Sequence, residues 1–157
     1  MFLLSLLSLF GVKERLRYFL ALESAQVRLY QAQQRLVSDP TLYRALGHFA
    51  EVEVGHVENL KRTLEQYEIH PSGLNRIAKP LGAWVGEMSD ALGLDAMIKL
   101  DVRIEQMAAQ EYRQLIASVH DPALLDLLWK HMIDEEMHKT WFESTLLKLN
   151  SQASCNK

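Results

Sequence analysis

The chain has 157 residues, of which 48% are hydrophobic and 24% are charged, and its formal net charge is −3. This length and balance suit one soluble globular domain, exclude a disordered or polytopic protein, and give no reason to expect a nucleic-acid partner. The single cysteine, Cys155, excludes a disulfide framework and a four-cysteine metal site. We therefore expect a reducing, cytoplasmic compartment.

Residues 1–11 form an apolar N-terminal segment. It is too short to span a bilayer, and no basic stretch precedes it as in a secretory signal. The plainest interpretation is a helix docked on the core or on a second copy in a homodimer. The alternative is a peripheral contact with the inner membrane surface or a mouth for an apolar ligand, which Lys13, Arg15 and Arg17 directly behind the segment favour.

Four helical runs follow, each recognised by an apolar stripe at helical spacing. Two of them open with Asp-Pro, at Asp39-Pro40 and Asp121-Pro122. This is a start signal, because an N-cap aspartate accepts from free backbone amides and a proline at the first helical position has no amide to leave unpaired. The predicted helices span 12–37, 40–67, 94–118 and 122–149, with a Gly/Pro-containing crossover at 68–93 and a polar tail at 150–157.

The two halves of the sequence repeat at one constant offset, the distance along the chain from Glu23 to Glu105. A repeat with no gap indicates one helical hairpin that has been duplicated, with the crossover joining the copies. We therefore predict an all-α four-helix bundle of two hairpins. The same offset relates Tyr30 to Tyr112, Asp39-Pro40 to Asp121-Pro122, Glu53 to Glu135, and His56 to His138.

The apolar stripes of the second and fourth helices are each interrupted by a Glu-x-x-His pair, whose spacing places both side chains on nearly one face. A buried carboxylate without a partner costs several kcal/mol, so such a pair needs a cation or it is not buried. In a four-helix bundle, a glutamate on each of the other two stripes projects into the same interior volume. The predicted metal ligands are Glu23, Glu53, His56, Glu105, Glu135 and His138.

Charge and donor type decide which metal suits this set. Four carboxylates carry four negative charges, which two divalent cations balance. Hard oxygen donors with two imidazoles and no thiolate favour iron, with manganese as the alternative. Two bridging carboxylates would hold the two ions roughly 3.5 to 4 Å apart, a spacing that suits one small shared ligand.

Other acidic residues fit this pattern less well. Asp134 also lies on the histidine side of its helix, but its equivalent in the first copy of the repeat is Val52. Glu51 and Glu136 point away from the histidine of their own helix, and Glu111 lies on a different face from the third-helix ligand. A metal-free buried polar network remains the alternative interpretation.

Two tyrosines and several histidines lie near the predicted ligands or elsewhere on the helices, and each needs an interpretation. Tyr30 and Tyr112 each follow a predicted ligand by two turns, so we prefer a hydrogen bond to a ligand carboxylate over simple core packing. His131 lies one turn before Glu135, and we expect it to be solvated or capped. The remaining histidines are interpreted as surface residues: His48, His70 and His120.

Two segments resemble known families. Glu23-Ser-Ala-Gln-Val-Arg-Leu-Tyr30 resembles the first-helix motif of the rubrerythrins and of the demethoxyubiquinone hydroxylase family. Asp134-Glu-Glu-Met-His-Lys-Thr-Trp141 is similar to the last-helix motif of the ferritin-like di-iron carboxylate superfamily. The crossover into Glu105 looks like that of the hydroxylases, whereas Ala108 stands where rubrerythrins usually carry a second glutamate.

The resemblance implies a ferritin-like bundle with two iron ions that activates dioxygen and hydroxylates a quinone-like apolar substrate, with an electron donor that the residues do not identify. The alternative is a rubrerythrin-like peroxidase or ferrous iron oxidase, which uses peroxide or dioxygen and no organic substrate. The third interpretation is a non-catalytic helical bundle.

Overall fold

The computed structural model describes residues 11–70 and 93–155, with side chains described as far as residue 151. The expectations for the apolar segment 1–10, for the crossover 71–92 and for the last two residues lie outside this part of the chain. Within it the backbone forms four helices: α1 at Val12–Leu36, α2 at Pro40–Gln66, α3 at Leu94–Ile116 and α4 at Pro122–Cys155.

Both Asp-Pro pairs start helices, as predicted. The carboxylate of Asp39 accepts from the amides of Thr41 and Leu42 at 2.9 and 2.8 Å. The carboxylate of Asp121 accepts from the amide of Leu124 at 2.8 Å. Each cap pairs an amide at the start of its helix that has no partner within the helix.

The ends of α2 and α4 are set differently. Glu68 follows α2 in the left-handed region with φ 53°, and the amide of Ile69 donates to the carbonyl of Leu64 at 2.8 Å. This is the closure of a Schellman motif. The last helix has no glycine or proline after Leu149 to stop it, and it continues to Cys155 through much of the predicted polar tail.

The helices pack as two hairpins, α1 with α2 and α3 with α4. The hairpins meet where α1 contacts α3 and α2 contacts α4. Tyr30 lies against Glu105 while Tyr112 lies against Glu23, so α1 and α3 are antiparallel and α2 and α3 run in the same direction. The predicted all-α bundle of two hairpins is confirmed.

Two apolar clusters fill the bundle on either side of its middle. The first includes Leu16, Phe19, Leu60, Leu64, Leu115 and Leu128. The second includes Leu29, Leu42, Leu46, Phe49, Ile98 and Phe142. The stretches of helix between these clusters carry the predicted metal ligands, so the apolar ends hold four helices close around a polar middle. None of the described helices is both long enough and apolar enough to cross a membrane.

Two of the three basic residues behind the N-terminal segment are used within the fold. The guanidinium of Arg15 is buried, donates to the carbonyl of Glu111 at 2.9 Å and lies 3.7 Å from its carboxylate. The guanidinium of Arg17 donates to the carbonyl of His70 at 2.8 Å. Lys13 alone of the three is exposed to meet an anionic surface.

A buried polar pair lies outside the predicted metal site. The amide of Gln33 donates to Asp101 at 2.8 Å, and both side chains are at most 1% exposed. The second carboxylate oxygen of Asp101 has no hydrogen-bond partner among the described residues. Burial, only partly opposed by the Gln33 hydrogen bond, raises the pKa of Asp101 to about 8.

We expect Asp101→Asn to stabilise the protein more at high pH than at low pH. In the unfolded chain the pKa of this carboxyl is about 3.9. Between about pH 4 and pH 8 the folded protein therefore holds a proton that the unfolded chain has lost. The free energy of unfolding falls as pH rises through this window. Urea unfolding of the metal-free protein should show a gain on the order of 1–3 kcal/mol near pH 9 and little near pH 5. The exposed Asp126→Asn is the control, and equal gains at both pH values would contradict the buried, protonated carboxyl.

Candidate metal centre

All four helices contribute to one buried group of acids and histidines. Each of the six predicted ligands is at most 3% exposed. The helices supply them as follows: α1 gives Glu23, α2 gives Glu53 and His56, α3 gives Glu105, and α4 gives Glu135 and His138.

The six side chains fall into two overlapping groups, and within each group the potential ligand atoms all lie within 4.8 Å of one another. Both groups contain Glu53 and Glu135, so one carboxylate from each hairpin stands between two cation positions. Each position could then draw on one histidine, one glutamate of its own and two shared carboxylates. The groups are Glu23, Glu53, His56 and Glu135, and Glu53, Glu105, Glu135 and His138.

Glu53 shows this sharing atom by atom. Its Oε2 lies 3.0 Å from Nδ1 of His56, and its Oε1 lies 3.1 Å from Nδ1 of His138. Nδ1 of His56 is also 3.4 Å from Glu135. Both imidazoles therefore turn Nδ1 toward the carboxylates.

Many polar atoms of the centre have no hydrogen-bond partner among the described residues although they are fully buried. Leaving a buried polar atom unpaired costs about 1–3 kcal/mol, and several at one place indicate a site for a cation or water. A pair of divalent cations fits this donor set in charge, in hardness and in number of ligands. The unpaired atoms are Oε2 of Glu23, Oε1 of Glu53, Oε2 of Glu105, Oε1 of Glu135 and Nδ1 of His138. The 3.1 Å contact between Nδ1 of His138 and Oε1 of Glu53 lacks the angle of a hydrogen bond.

The four carboxyl groups of the centre differ in pKa. Burial, reinforced by the charges of Glu135 and Glu23, raises the pKa of Glu53 to about 8. Burial also raises the pKa of Glu105 to about 8 and that of Glu135 well above its usual range. Burial acts in the same direction on Glu23, but interactions with its neighbours, led by that with His56, bring its pKa down to about 2. The carboxyls of Glu53, Glu105 and Glu135 therefore tend to hold protons, which a metal must displace.

Both predicted tyrosines hydrogen-bond to acids of the centre, but across the bundle. The hydroxyl of Tyr30 on α1 donates to Glu105 on α3, and that of Tyr112 on α3 donates to Glu23 on α1. Each tyrosine therefore reaches the acid of the opposite hairpin. The two hydroxyls help to hold Glu23 and Glu105 in place.

Sequence reasoning missed Gln26. It lies one turn after Glu23, and its amide nitrogen is 3.4 Å from Glu105 and 3.3 Å from Glu135. Its place on the buried face of α1 is the signal that could have revealed it. Its donors bind acids of two different helices of the second hairpin.

The prediction that His131 is solvated or capped was wrong. The residue is 1% exposed, and its ring stacks on that of His56 with centroids 3.9 Å apart. The apolar stripe of α4 passes through this position, which explains the burial. Burial, then the charge of His56, lowers the pKa of His131 to about 3, so the imidazole is neutral. With Glu23 and His56 it forms a third group of potential ligand atoms.

Asp134 acts from the rim of the centre. Its carboxylate lies 3.1 Å from Nε2 of His56, which fixes the ring so that Nδ1 faces inward. Burial lowers the pKa of His56, but its interactions with the accepting carboxylates of Asp134 and the centre's glutamates raise it well above its usual range.

The other acids set aside in the sequence lie away from the centre. Glu51 is exposed, and Glu136 pairs with Arg113 and Lys139 at the surface. Glu111 is buried, but beside Arg15. The histidines expected at the surface are exposed: His48, His70 and His120.

Comparison with protein families decides the identity of this centre. The family model described as "Ubiquinone biosynthesis protein COQ7" matches residues 12–141, which include all six predicted ligands. The chain belongs to this family. COQ7 proteins are ferritin-like di-iron monooxygenases that hydroxylate demethoxyubiquinone. No curated protein and no solved structure gives a significant match.

Membership of the COQ7 family confirms the predicted ferritin-like fold, the di-iron cofactor and the hydroxylase activity. It also implies a quinone-like substrate and dioxygen as reactants. The rubrerythrin-like and non-catalytic interpretations therefore give way to the hydroxylase.

We expect metal binding to release protons and to weaken as pH falls. The carboxyls of Glu53 and Glu105, with pKa values of about 8, are largely protonated below that pH, and a cation has to displace these protons. Anaerobic calorimetry with Fe(II), in two buffers of different ionisation enthalpy, should detect the released protons and show lower affinity near pH 6 than near pH 8. An affinity for Fe(II) that does not change over this pH range, with no protons released, would contradict the protonated carboxyls of the centre.

Proposed function

We propose that six residues of this chain hold the two iron ions with which it hydroxylates its quinone substrate. The observation that carries this proposal is the overlap of the two ligand groups on Glu53 and Glu135. Two Fe(II) ions would neutralise the four carboxylates and supply partners for the unpaired buried atoms. The proposed ligands are Glu23, Glu53, His56, Glu105, Glu135 and His138.

Each proposed ligand has a distinct place. Glu53 and Glu135 would be shared by the two ions, because each belongs to both groups. Glu23 stands with His56, and Glu105 stands with His138. When bound, the iron pair supplies the activation of dioxygen on which hydroxylation depends.

The chain's own residues provide the orientation and the apolar enclosure. The ring of Phe49 lies 4.2 Å from that of His138 and 5.2 Å from that of Phe142, measured between centroids. Rings packed this closely keep water away from the His138 side of the centre. An apolar surrounding of this kind suits a flat quinone better than a charged substrate.

Turnover with a defined substrate tests this function. The protein, reconstituted with Fe(II) and supplied with a chemical reductant, should convert a demethoxyquinone into its hydroxylated product and incorporate one labelled atom from ¹⁸O₂, as measured by mass spectrometry. Peroxide consumption without any hydroxylated quinone would contradict the proposal and favour the rubrerythrin-like chemistry.

We expect Glu135→Gln to abolish binding of the iron pair. The amide keeps the size of the side chain but cannot bridge two cations, and it removes a carboxyl that the other acids repel. The metal-free variant should therefore be at least as stable as the wild type, with a gain on the order of 1 kcal/mol. Iron content after anaerobic loading and thermal unfolding of the metal-free protein measure the two effects.

Glu136→Gln is the matched control for this variant, because it makes the same change at the next position along the helix. Its side chain pairs with Arg113 and Lys139 outside the centre, so two irons should still bind. Equal loss of iron in both variants would contradict the ligand assignment.

A further inference from the structure

The surroundings of the two equivalent histidines of the metal centre differ in polarity. His56 on α2 and His138 on α4 are equivalent positions, and a different ring packs on each: His131 at 3.9 Å and Phe49 at 4.2 Å. His131 and Phe49 are themselves related by the repeat offset, so they are also equivalent. We call the side of the centre that holds Glu23 and His56 the His56 half. Two further polar residues lie there, Asn59 and Asp134, and their equivalents in the repeat are the apolar Trp141 and Val52.

The polar residues form a directed line of hydrogen bonds that ends on Glu23. Nδ2 of Asn59 lies 3.4 Å from Nε2 of His131, and because an amide nitrogen can only donate, Nε2 accepts. The proton of this neutral imidazole is therefore on Nδ1, which lies 3.1 Å from the hydroxyl oxygen of Tyr112 and donates to it. The hydroxyl of Tyr112 in turn donates to Glu23.

This line reaches the surface of the protein. Tyr112 and His131 are buried, Asn59 is half-buried, and its amide oxygen accepts from the exposed Arg62 at 2.8 Å. Asn59 and Arg62 both line an open cavity of about 220 Å³ between α2 and α4. A polar connection therefore runs from solvent to the carboxylate of Glu23.

The equivalent tyrosine of the other half has no such connection. The hydroxyl of Tyr30 donates to Glu105, and no other hydrogen bond joins it to any described residue. Its ring centroid lies 6.1 Å from that of Phe49 and 5.8 Å from that of Phe142. Phe49 in turn packs edge-on against Trp141 at 5.4 Å. Aromatic rings thus occupy the places that His131 and Asn59 take in the first half.

The nearby buried pair of Gln33 and Asp101 does not supply the missing connection. Gln33 donates to Asp101, and the remaining oxygen of each side chain has no hydrogen-bond partner. The pair is therefore closed on itself within the described part of the chain. The polar line of Asn59, His131 and Tyr112 has no counterpart there.

We propose that the two iron positions are chemically inequivalent and that the position at Glu23 and His56 is the solvent-linked one. His131 is the positioning residue of this half, because it acts on Glu23 through Tyr112. The inference rests on the proposed function, since it requires both positions to hold iron. The polar route, which suits water, leads to the iron position at Glu23 and His56. The other position has aromatic neighbours and the buried Gln26.

Mössbauer spectroscopy of the whole protein loaded anaerobically with ⁵⁷Fe(II) tests this inference without turnover. The wild type should give two quadrupole doublets of equal area. His131→Phe copies the equivalent Phe49, so it should retain two irons while shifting one doublet and leaving the other. Asn59→Ala, farther from the iron and easily accommodated at a half-buried position, should shift the same doublet by less.

Two further variants separate positioning from packing. His131→Gln can accept from Asn59 and donate to Tyr112, so it should restore the wild-type doublet. Trp141→Phe, at the equivalent of Asn59, should leave that doublet unchanged.

Three results would overturn the inference: one doublet for both irons of the wild type, no change in either doublet in His131→Phe, or shifts in Trp141→Phe as large as those in Asn59→Ala. Wild-type protein that binds no iron would overturn the proposed function as well.

Discussion

Mutual repulsion among four carboxylates buried at the middle of one bundle is the constraint on which the rest of the structure depends. The two apolar clusters have to hold the helices close against this repulsion, because a looser bundle would let water reach the acids. Several features reduce this electrostatic cost. The carboxyl pKa values are raised, the raised pKa of His56 favours its positively charged form, and Gln26 and the two tyrosines donate hydrogen bonds to the acids. Two iron ions would remove most of it at once, which ties the shape of the fold to its cofactor.

Duplication explains why the centre looks symmetric and why its surroundings do not. The six proposed ligands retain their identity between the hairpins, since each iron position needs one histidine, one terminal glutamate and its share of the bridges. One layer farther out, Tyr30 and Tyr112 also keep their identity, but other residues differ between the two copies. His131 and Phe49 show the result, because each packs against one of the proposed ligand histidines but only the first can extend a hydrogen bond.

The sequence was sufficient for features that depend on one helix at a time or on the repeat. The Asp-Pro starts and the division into two hairpins follow from local capping and from the constant offset between the copies. Features that depend on the facing helix were less accessible. A stripe shows that His131 is on a buried face, but not that Asn59 of another helix pairs with it. Nor can a stripe show that Tyr30 reaches Glu105 across the bundle, or that Arg15 makes burial of Glu111 tolerable.

The N-caps of α2 and α4 lie at one constant spacing from two of the proposed metal ligands. The spacing along the chain from Asp39 to Glu53 is the same as that from Asp121 to Glu135. This spacing is close to a whole number of helical turns, about four, so each cap stands above its bridging glutamate on the same side of the helix. A single inserted residue between them would rotate the ligand by about 100° relative to the cap. The length between cap and ligand is therefore under as strict a constraint as the ligand itself, although none of the intervening residues has to touch iron.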